Sequence, residues 1–222
     1  LVAHDGTHEL SILDVLRLKE KLAASQPGLF AADFGWLEGI RKRIPLPVVG
    51  PRSLVVNGSE VYAIGYFSDS VAVLDMNGEV SPAETLFVGR QGPWNIEQVG
   101  EQVFNDATIA HQSWQSCATC HPDGRTDGLN WDLLNDGIGN PKNTKSLLLA
   151  HATPPAMFSG ARDTAEMAVR SGFRRILFAL TPETNARAVD AYLRSLRSVP
   201  SPFLVGGSLS EAAARGKRLF ED

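Results

Sequence analysis

The chain has 222 residues and a formal net charge of −4, with 43% hydrophobic and 21% charged residues. This composition is typical of a globular protein, and the weak negative charge excludes a general electrostatic attraction to nucleic acid or to an anionic membrane surface. No apolar run reaches the roughly 20 residues of a membrane-spanning helix, and the only two cysteines, Cys117 and Cys120, are too close together for a disulfide scaffold.

Residues 1–90 have the pattern of β structure. The runs with strand character are 1–4, 10–13, 53–56, 61–64 and 71–75. Asn57-Gly58 and Asn77-Gly78 follow two of these runs, and Asn-Gly is a strong hairpin signal because both of its residues tolerate a positive φ angle. The sequence therefore predicts antiparallel hairpins in this part of the chain.

Two stretches of the β region are similar to each other. Residues 1–14 and 61–75 each contain a strand pair that ends in Leu-Asp, at an offset of about sixty residues, with a polar, proline-containing insert between them. Such repetition suggests propeller blades, although two unrelated hairpins would give the same pattern. The run Gly-Tyr-Phe-Ser-Asp-Ser-Val-Ala-Val-Leu-Asp at 65–75 resembles the YVTN type of β-propeller repeat. This resemblance implies that residues 1–90 are the C-terminal part of a β-propeller whose other blades lie upstream.

The pattern becomes helical in residues 91–200, after a boundary with glycine and proline at 89–93. Apolar residues at 96, 99, 103 and 104 recur at helical spacing. Further helices are predicted at about 142–150, 162–176, 184–197 and 208–222. A loop rich in glycine and asparagine is predicted at 130–141, and residues 201–222 are predicted to form a linker and the first helix of another domain. The predicted fold class is a multidomain protein with β structure first and α structure second.

The most specific pattern is Cys-Ala-Thr-Cys-His, which runs from Cys117 through Cys120 to His121. Two residues between the cysteines place both sulfurs on one side of a helical turn, where each thiol can add to one vinyl group of a haem. His121 then projects beneath the ring as the proximal iron ligand, and this spacing is the attachment signal of c-type haem. A zinc site would need two further soft ligands, and a thioredoxin-like pair would need a βαβ context. We therefore predict one covalently attached haem c.

Three other residues near the motif are candidates for contact with this haem. Trp114 and Trp131 would supply apolar surface, and Arg125 would pair with a haem propionate. Ordinary packing of the two tryptophans and simple solvent exposure of the arginine are equally compatible with the sequence.

The sixth iron ligand decides the chemistry of a haem. Met157 is the favoured ligand, because the rigid Pro154-Pro155 segment before it would hold an otherwise flexible thioether in place. The alternatives are core packing of Met157, ligation by His151 or His111, and an open five-coordinate iron.

Several segments of residues 94–200 resemble the first haem domain of the bacterial di-haem cytochrome c peroxidase family. They are residues 100–106, the Cys-Ala-Thr-Cys-His motif, the loop at 139–144, residues 158–162 and the helix at 191–196. The resemblance implies an all-α, class I-like cytochrome c domain at 91–200, in a protein of the bacterial periplasm or cell surface. It also implies that the partner is a redox protein or a second haem domain. One departure is that the stretch 134–139 lacks the histidine with which these peroxidases ligate this haem, which argues against peroxidase-type ligand switching.

A second copy of one helical pattern ends the chain. Gly100-x-x-Val103-Phe104-Asn105-Asp106 recurs as Gly216-x-x-Leu219-Phe220-Glu221-Asp222. The first copy precedes the haem motif, so a second Cys-x-x-Cys-His is predicted about a dozen residues beyond Asp222. We accordingly expect the chain to be a fragment of a longer polypeptide that carries two haems.

Three functions are compatible with these patterns. The favoured one is a haem c-binding electron-transfer domain of a larger, peroxidase-like di-haem oxidoreductase. The alternatives are a haem that is itself catalytic toward peroxide and a protein that mainly binds a partner through its propeller. No acid or base suited to an open iron site is evident, so no catalytic residue is assigned and the status of this chain as an enzyme is left open.

Overall fold

The computed structural model describes residues 1–25, 33, 35–78, 80–89, 92–133 and 138–221. The strands are β1 (Val2–His4), β2 (Glu9–Leu13), β3 (Arg41–Pro45), β4 (Pro51–Asn57), β5 (Glu60–Gly65), β6 (Ser70–Asp75), β7 (Ser81–Phe87), β8 (Asn130–Trp131) and β9 (Lys142–Asn143). The α-helices are α1 (Val15–Ala24), α2 (Ile96–Asn105), α3 (Cys117–Cys120), α4 (Ala165–Arg175), α5 (Glu183–Ser195) and α6 (Glu211–Glu221). This order confirms the prediction of β structure followed by α structure.

The β part consists of two antiparallel sheets. Strands β1 to β3 form one sheet, and strands β4 to β7 form the other as a meander in chain order. The two similar stretches of sequence both form hairpins, β1–β2 with Val2 opposite Ser11 and β5–β6 with Tyr62 opposite Val73. One apolar cluster draws residues from both sheets, and its buried members are Leu10, Ile44, Leu46, Val48, Val61, Ala63, Ala72 and Leu74.

The predicted C-terminal part of a β-propeller is not found. Among the described residues, strands β1 to β7 form two open sheets that share one core. The insert between the hairpins contains helix α1. Asp14 caps the start of this helix by accepting hydrogen bonds from the N–H groups of Leu16 and Arg17, both at 3.1 Å. After this helix the chain returns as β3 beside β2. The strand pattern specified the hairpins but not the arrangement of the sheets, which depends on contacts between residues distant in sequence.

Helices α2 and α5 form the centre of the helical part. A Cβ atom built on Gly100 would lie 1.9 Å from the carbonyl oxygen of Ala188, so only glycine permits this close approach of the two helices. Phe104, one turn further along α2, is buried, and its ring centroid lies 5.3 Å from that of Tyr192 on α5. Helix α4 contributes Phe173 to the same core.

One predicted helix is wrong. Residues assigned to a helix at about 142–150 instead form strand β9, which pairs with β8, and the start of a short 3-10 helix at Ala150–Ala152. The predictions at about 162–176, 184–197 and 208–222 are confirmed by α4, α5 and α6. Some of the predicted features lie outside the described residues. They are parts of the loop at 130–141, of the stretch at 134–139 and of the boundary at 89–93, and Asp222 in the repeated pattern. None of the helices in the described ranges has both the length and the apolar character needed to cross a membrane.

The β part contacts the start of the helical part near the first turn of the chain. The N–H group of Ala107 donates a hydrogen bond to the carbonyl of Gly6 at 2.8 Å, and Nε2 of His8 lies 3.5 Å from a carboxylate oxygen of Asp106. The hydrogen bond to Asp106 raises the pKa of His8 above 6.5. Burial disfavours the charge on Asp106, but hydrogen bonds from His8 and Thr108 outweigh burial and hold the pKa of this carboxyl below 3.8.

We expect this pair to make the stability of the protein depend on pH. Because the pKa of His8 is raised on folding, its contribution is complete below pH 6.5 and is lost as the pH rises through the folded value. Asp106 also stabilises the folded state, but with the opposite pH dependence. Its contribution is present above pH 3.8 and is lost as the pH falls through its lowered pKa. Urea unfolding should therefore show a larger loss of stability in His8→Gln at about pH 5 than at about pH 8. An equal loss at both values would show that the pair carries no charge-dependent stability.

Candidate functional site

The predicted haem motif forms a single helical turn. Helix α3 spans Cys117–Cys120, and the N–H group of Ser116 donates to the hydroxyl of Thr119 at 3.0 Å, which closes the start of the turn. The N–H group of His121 donates to the carbonyl of Cys117 at 3.0 Å, which closes its end. Since residues three apart lie on one face of a helix, the two thiols share a side of this turn.

His121 follows the turn and is held in one orientation. Its Nδ1 atom lies 3.2 Å from the carbonyl oxygen of Arg125, which can only accept, so Nδ1 carries the proton. Burial lowers the pKa of His121, although hydrogen bonds to the carbonyls of Arg125 and Lys145 oppose this effect. Donation from Nδ1 to the Arg125 carbonyl leaves Nε2 as the ring nitrogen that can bind a metal ion.

Burial raises the pKa of both thiols, although Cys117 is partly exposed and Cys120 is buried. Cys117 packs against the helical core, and burial raises the pKa of its thiol to about 12. Burial also raises the pKa of Cys120, whose side chain is 8% exposed. A reactive redox pair needs a thiol of lowered pKa, so this environment does not suit a thioredoxin-like function. The described residues contain no group of three or more histidine, cysteine, aspartate or glutamate side chains arranged to hold a metal ion.

Trp131 is connected to the motif through Asp127. The indole N–H of Trp131 donates to the Asp127 carboxylate at 2.8 Å, and the N–H group of Asp127 donates to the carbonyl of Cys120 at 3.1 Å. Trp114 lies on the other side of the motif in sequence, where its half-exposed ring stacks on Phe178. The guanidinium group of Arg125 makes no hydrogen bond or ion pair with any residue in the described ranges, while its carbonyl oxygen lies 3.2 Å from Nδ1 of His121.

Met157 lies at the tip of a tight turn. Ala156 and Arg162 pair in antiparallel fashion on either side of it, and Met157 itself has φ 74° and is largely exposed. A left-handed conformation is unusual for methionine and is typical of functionally constrained sites. The role of Met157 as the sixth iron ligand stays a prediction.

His151 is part of a buried ionic network. Its Nε2 atom lies 3.1 Å from one oxygen of Asp190, and Arg170 donates to the other oxygen at 2.6 Å. The side chains of His151 and Asp190 are 6% and 4% exposed. The buried face of helix α5 includes residues 186, 189, 190 and 193. A charged side chain on an otherwise apolar face needs a partner, so Asp190 was the sequence signal from which this network could have been predicted. His111, the other candidate ligand, is exposed, and its backbone N–H donates to the carbonyl of Leu177.

Sequence reasoning missed two residues beside the motif. Asp127 links Trp131 to the Cys120 backbone, and Phe178 stacks on Trp114. The Asp127-Gly128 pair was a turn signal that could have located the first. No local signal indicates the left-handed backbone that places Phe178.

Comparison with known proteins gives a partial relationship. No protein-family model matches the chain. The hydrazine synthase subunit gamma of Kuenenia stuttgartiensis is 35% identical over 154 residues, an alignment that covers 63% of this chain and 44% of that protein. A solved structure of Kuenenia stuttgartiensis hydrazine synthase, pressurised with 20 bar xenon, matches with 30% identity and a TM-score of 0.49 over 61% of this chain and 52% of that one. The chain thus spans less than half the length of this curated relative.

These findings correct the predicted family and function. The similarity is to a hydrazine synthase subunit, so the assignment to a bacterial di-haem cytochrome c peroxidase fused to a YVTN-type propeller is wrong. The role as an electron-transfer domain of a peroxidase-like oxidoreductase is wrong with it, as are its two alternatives. The residues that carried the resemblance encode a helix contact at Gly100 and a local turn at Cys117–His121, and such short features recur in proteins of different function.

Proposed function

We propose that this chain is a haem c-carrying segment of a subunit in a multisubunit complex of the hydrazine synthase type. The observation that carries the haem assignment is the turn that places the thiols of Cys117 and Cys120 on one side and sets Nδ1 of His121 against the carbonyl of Arg125. The relationship to hydrazine synthase subunit gamma supports the type of complex. The activity of the whole protein would then be the synthesis of hydrazine, and its partners would be the other subunits.

The residues around the turn fit a haem. Cys117 and Cys120 would hold the ring through two thioether bonds, and His121 would ligate the iron from below. Arg125, whose guanidinium group has no partner among the described residues, would pair with a propionate, and Trp114 and Trp131 provide aromatic surface on the two flanks of the motif. When bound, the haem supplies an iron centre that changes oxidation state by one electron and accepts a sixth ligand, which we propose to be Met157.

The remaining parts of the proposal follow from haem c itself. Residues 91–200 would be the unit that holds the ring, in the manner of a class I-like cytochrome c domain. Bacteria attach haem c outside the cytoplasm, so the protein would act in the periplasm or at the cell surface. The repeated pattern at Gly216 supports a second haem c, attached beyond Asp222.

The covalent haem is tested by mass. We expect the full chain, produced in bacteria that carry a c-type haem maturation system, to gain the mass of one haem that survives denaturation. Cys120→Ser should retain at most one thioether bond, and the double variant Cys117→Ser/Cys120→Ser should carry no covalent haem. Ser116→Ala, which leaves both thiols in place, is the matched control and should be loaded like the wild type.

An unmodified wild-type chain, in cells where a reference c-type cytochrome is fully loaded, would refute the haem assignment. The complex is tested separately, by purifying the tagged protein from its native cells and identifying what accompanies it by mass spectrometry. Recovery together with subunits similar to those of hydrazine synthase is expected, and recovery as an isolated chain would contradict the proposed complex.

A further inference from the structure

Two aromatic rings beside the haem motif are stacked but exposed. Trp114 and Phe178 have ring centroids 6.1 Å apart and planes inclined by 30°, yet the residues are 48% and 63% exposed. Leu180 follows on the same segment and is 90% exposed. Large side chains of this kind are normally covered, and a contiguous apolar patch on a protein surface marks a binding site.

The backbone around Phe178 holds the ring in this position. Leu177 and Ala179 pack into the helical core, and their backbones are tied by hydrogen bonds at 2.9 Å to His111 and Phe173. Phe178 between them has φ 50°, a left-handed conformation that is strained for a bulky residue. This backbone conformation places the ring of Phe178 outside the core, where it stacks on Trp114.

The backbone before Trp114 is strained in the same way. Gln112 and Ser113 have φ 53° and 51°, although neither is glycine. Such strain persists only where the surrounding contacts enforce it, and it is concentrated at ligand-binding sites. Two independently strained segments therefore meet at one exposed aromatic pair.

The pair lies at the edge of the core that carries the haem cysteines. Trp114 is followed by the buried residues Gln115 and Ser116, and then by Cys117 at the start of α3. Cys117 packs against the same apolar cluster that contains Leu177. Trp114 lies three residues before Cys117, and Phe178 follows Leu177, which belongs to the cluster that Cys117 packs against.

We propose that Trp114 and Phe178 form the aromatic wall against which the haem ring packs, with Leu180 extending this wall. The inference rests on the proposed haem attachment and adds Phe178 and Leu180 to the residues that would contact the group. A porphyrin is flat, apolar and large enough to cover both side chains, and offset aromatic stacking is favourable for such a ring. The wall would keep water from that part of the haem.

The test uses the full chain with its haem attached, because the thioether bonds keep the ring in place while the wall is altered. Phe178→Asn removes the ring but tolerates the left-handed backbone, and Phe178→Tyr keeps a flat ring. Trp114→Leu probes the other half of the pair. Phe203→Asn, at a strongly exposed phenylalanine of the 201–205 segment, is the matched control.

We expect Phe178→Asn and Trp114→Leu to retain full haem content by mass and native far-ultraviolet circular dichroism. Their circular dichroism in the Soret band should fall to about half or less of the wild-type amplitude, because coupling between the haem and nearby aromatic rings is lost. The reduction potential should also fall as water gains access to the ring. Phe178→Tyr and Phe203→Asn should match the wild type.

Unchanged Soret dichroism and potential in both haem-loaded variants would overturn the wall. Weakened association with other subunits, with an unchanged haem spectrum, would also overturn it and would assign the pair to a protein interface. Absence of covalent haem from the wild-type chain is a separate result, because it refutes the proposed function before the wall is tested.

Discussion

Gly100→Ala is expected to destabilise the protein by about 3 kcal/mol or more, or to prevent the helical part from folding. The added methyl group would lie 1.9 Å from the Ala188 carbonyl oxygen and 2.8 Å from Cβ of Tyr192. Both obstacles belong to α5 itself, so the two helices would have to move apart, and Phe104 would lose its contacts. Alanine favours helix over glycine by only about 1 kcal/mol, so the steric clash decides the sign.

Two other helical glycines provide matched controls. Gly172 in α4 and Gly216 in α6 have open space where a Cβ atom would be added. Their alanine variants should be as stable as the wild type or more stable by up to about 1 kcal/mol, because only the helix propensity changes. Urea unfolding followed by circular dichroism measures all three variants. If Gly100→Ala behaved like its controls, the close approach of α2 and α5 would be wrong.

Asp190→Ala should cost about 3–5 kcal/mol of stability, because it removes the carboxylate from a buried ionic network. His151 would lose the acceptor for its Nε2–H group, and Arg170 would lose the partner that it contacts at 2.6 Å. The network ties the 3-10 helix at Ala150–Ala152 to α4 and α5, and the chain continues from this helix into the turn of Met157. Loss of Asp190 should therefore also loosen this turn.

The matched control for Asp190 is Glu183, which is bound by the same arginine but is 54% exposed at the surface. Glu183→Gln should cost at most about 1 kcal/mol, since exposed ion pairs contribute little. Asp190→Asn should give an intermediate loss, because an amide keeps the volume but accepts from one side only. Equal stability of Asp190→Ala and Glu183→Gln in urea unfolding would show that burial does not strengthen this network.

The parts of the fold that were predicted correctly are those with a local cause. Asn57-Gly58 specifies a hairpin by its backbone preference, and the helical spacing of Ile96, Val99 and Val103 is set within one element. The predicted helix at about 142–150 was wrong because distant contacts override local preference. Leu149 adopts φ 60°, and the N–H group of Leu147 donates to the carbonyl of Gly124 beside the haem motif.

The candidate site shows the same division. The turn at Cys117–His121 is encoded by its own residues and forms as the motif predicts, with its first backbone N–H capped by Thr119. The Asp127-Gly128 pair marks a turn but not the contact of Asp127 with Trp131, and no short pattern specifies the backbone position of Phe178. The wrong family assignment has the same origin, since the segments that suggested it describe local geometry rather than the whole protein.

The hydrogen bond between Gly6 and Ala107 joins residues about a hundred positions apart along the chain. During synthesis from the N-terminus, the first hairpin therefore emerges long before the residues that fix it to the helical part. The turn between β1 and β2 must wait for the residues that follow α2, and β1, an edge strand of its sheet, is exposed to other chains in the meantime. The contact between His8 and Asp106 can therefore form only after the start of the helical part has been synthesised. A translational pause after the β part would lengthen the period in which the nascent chain is prone to aggregation.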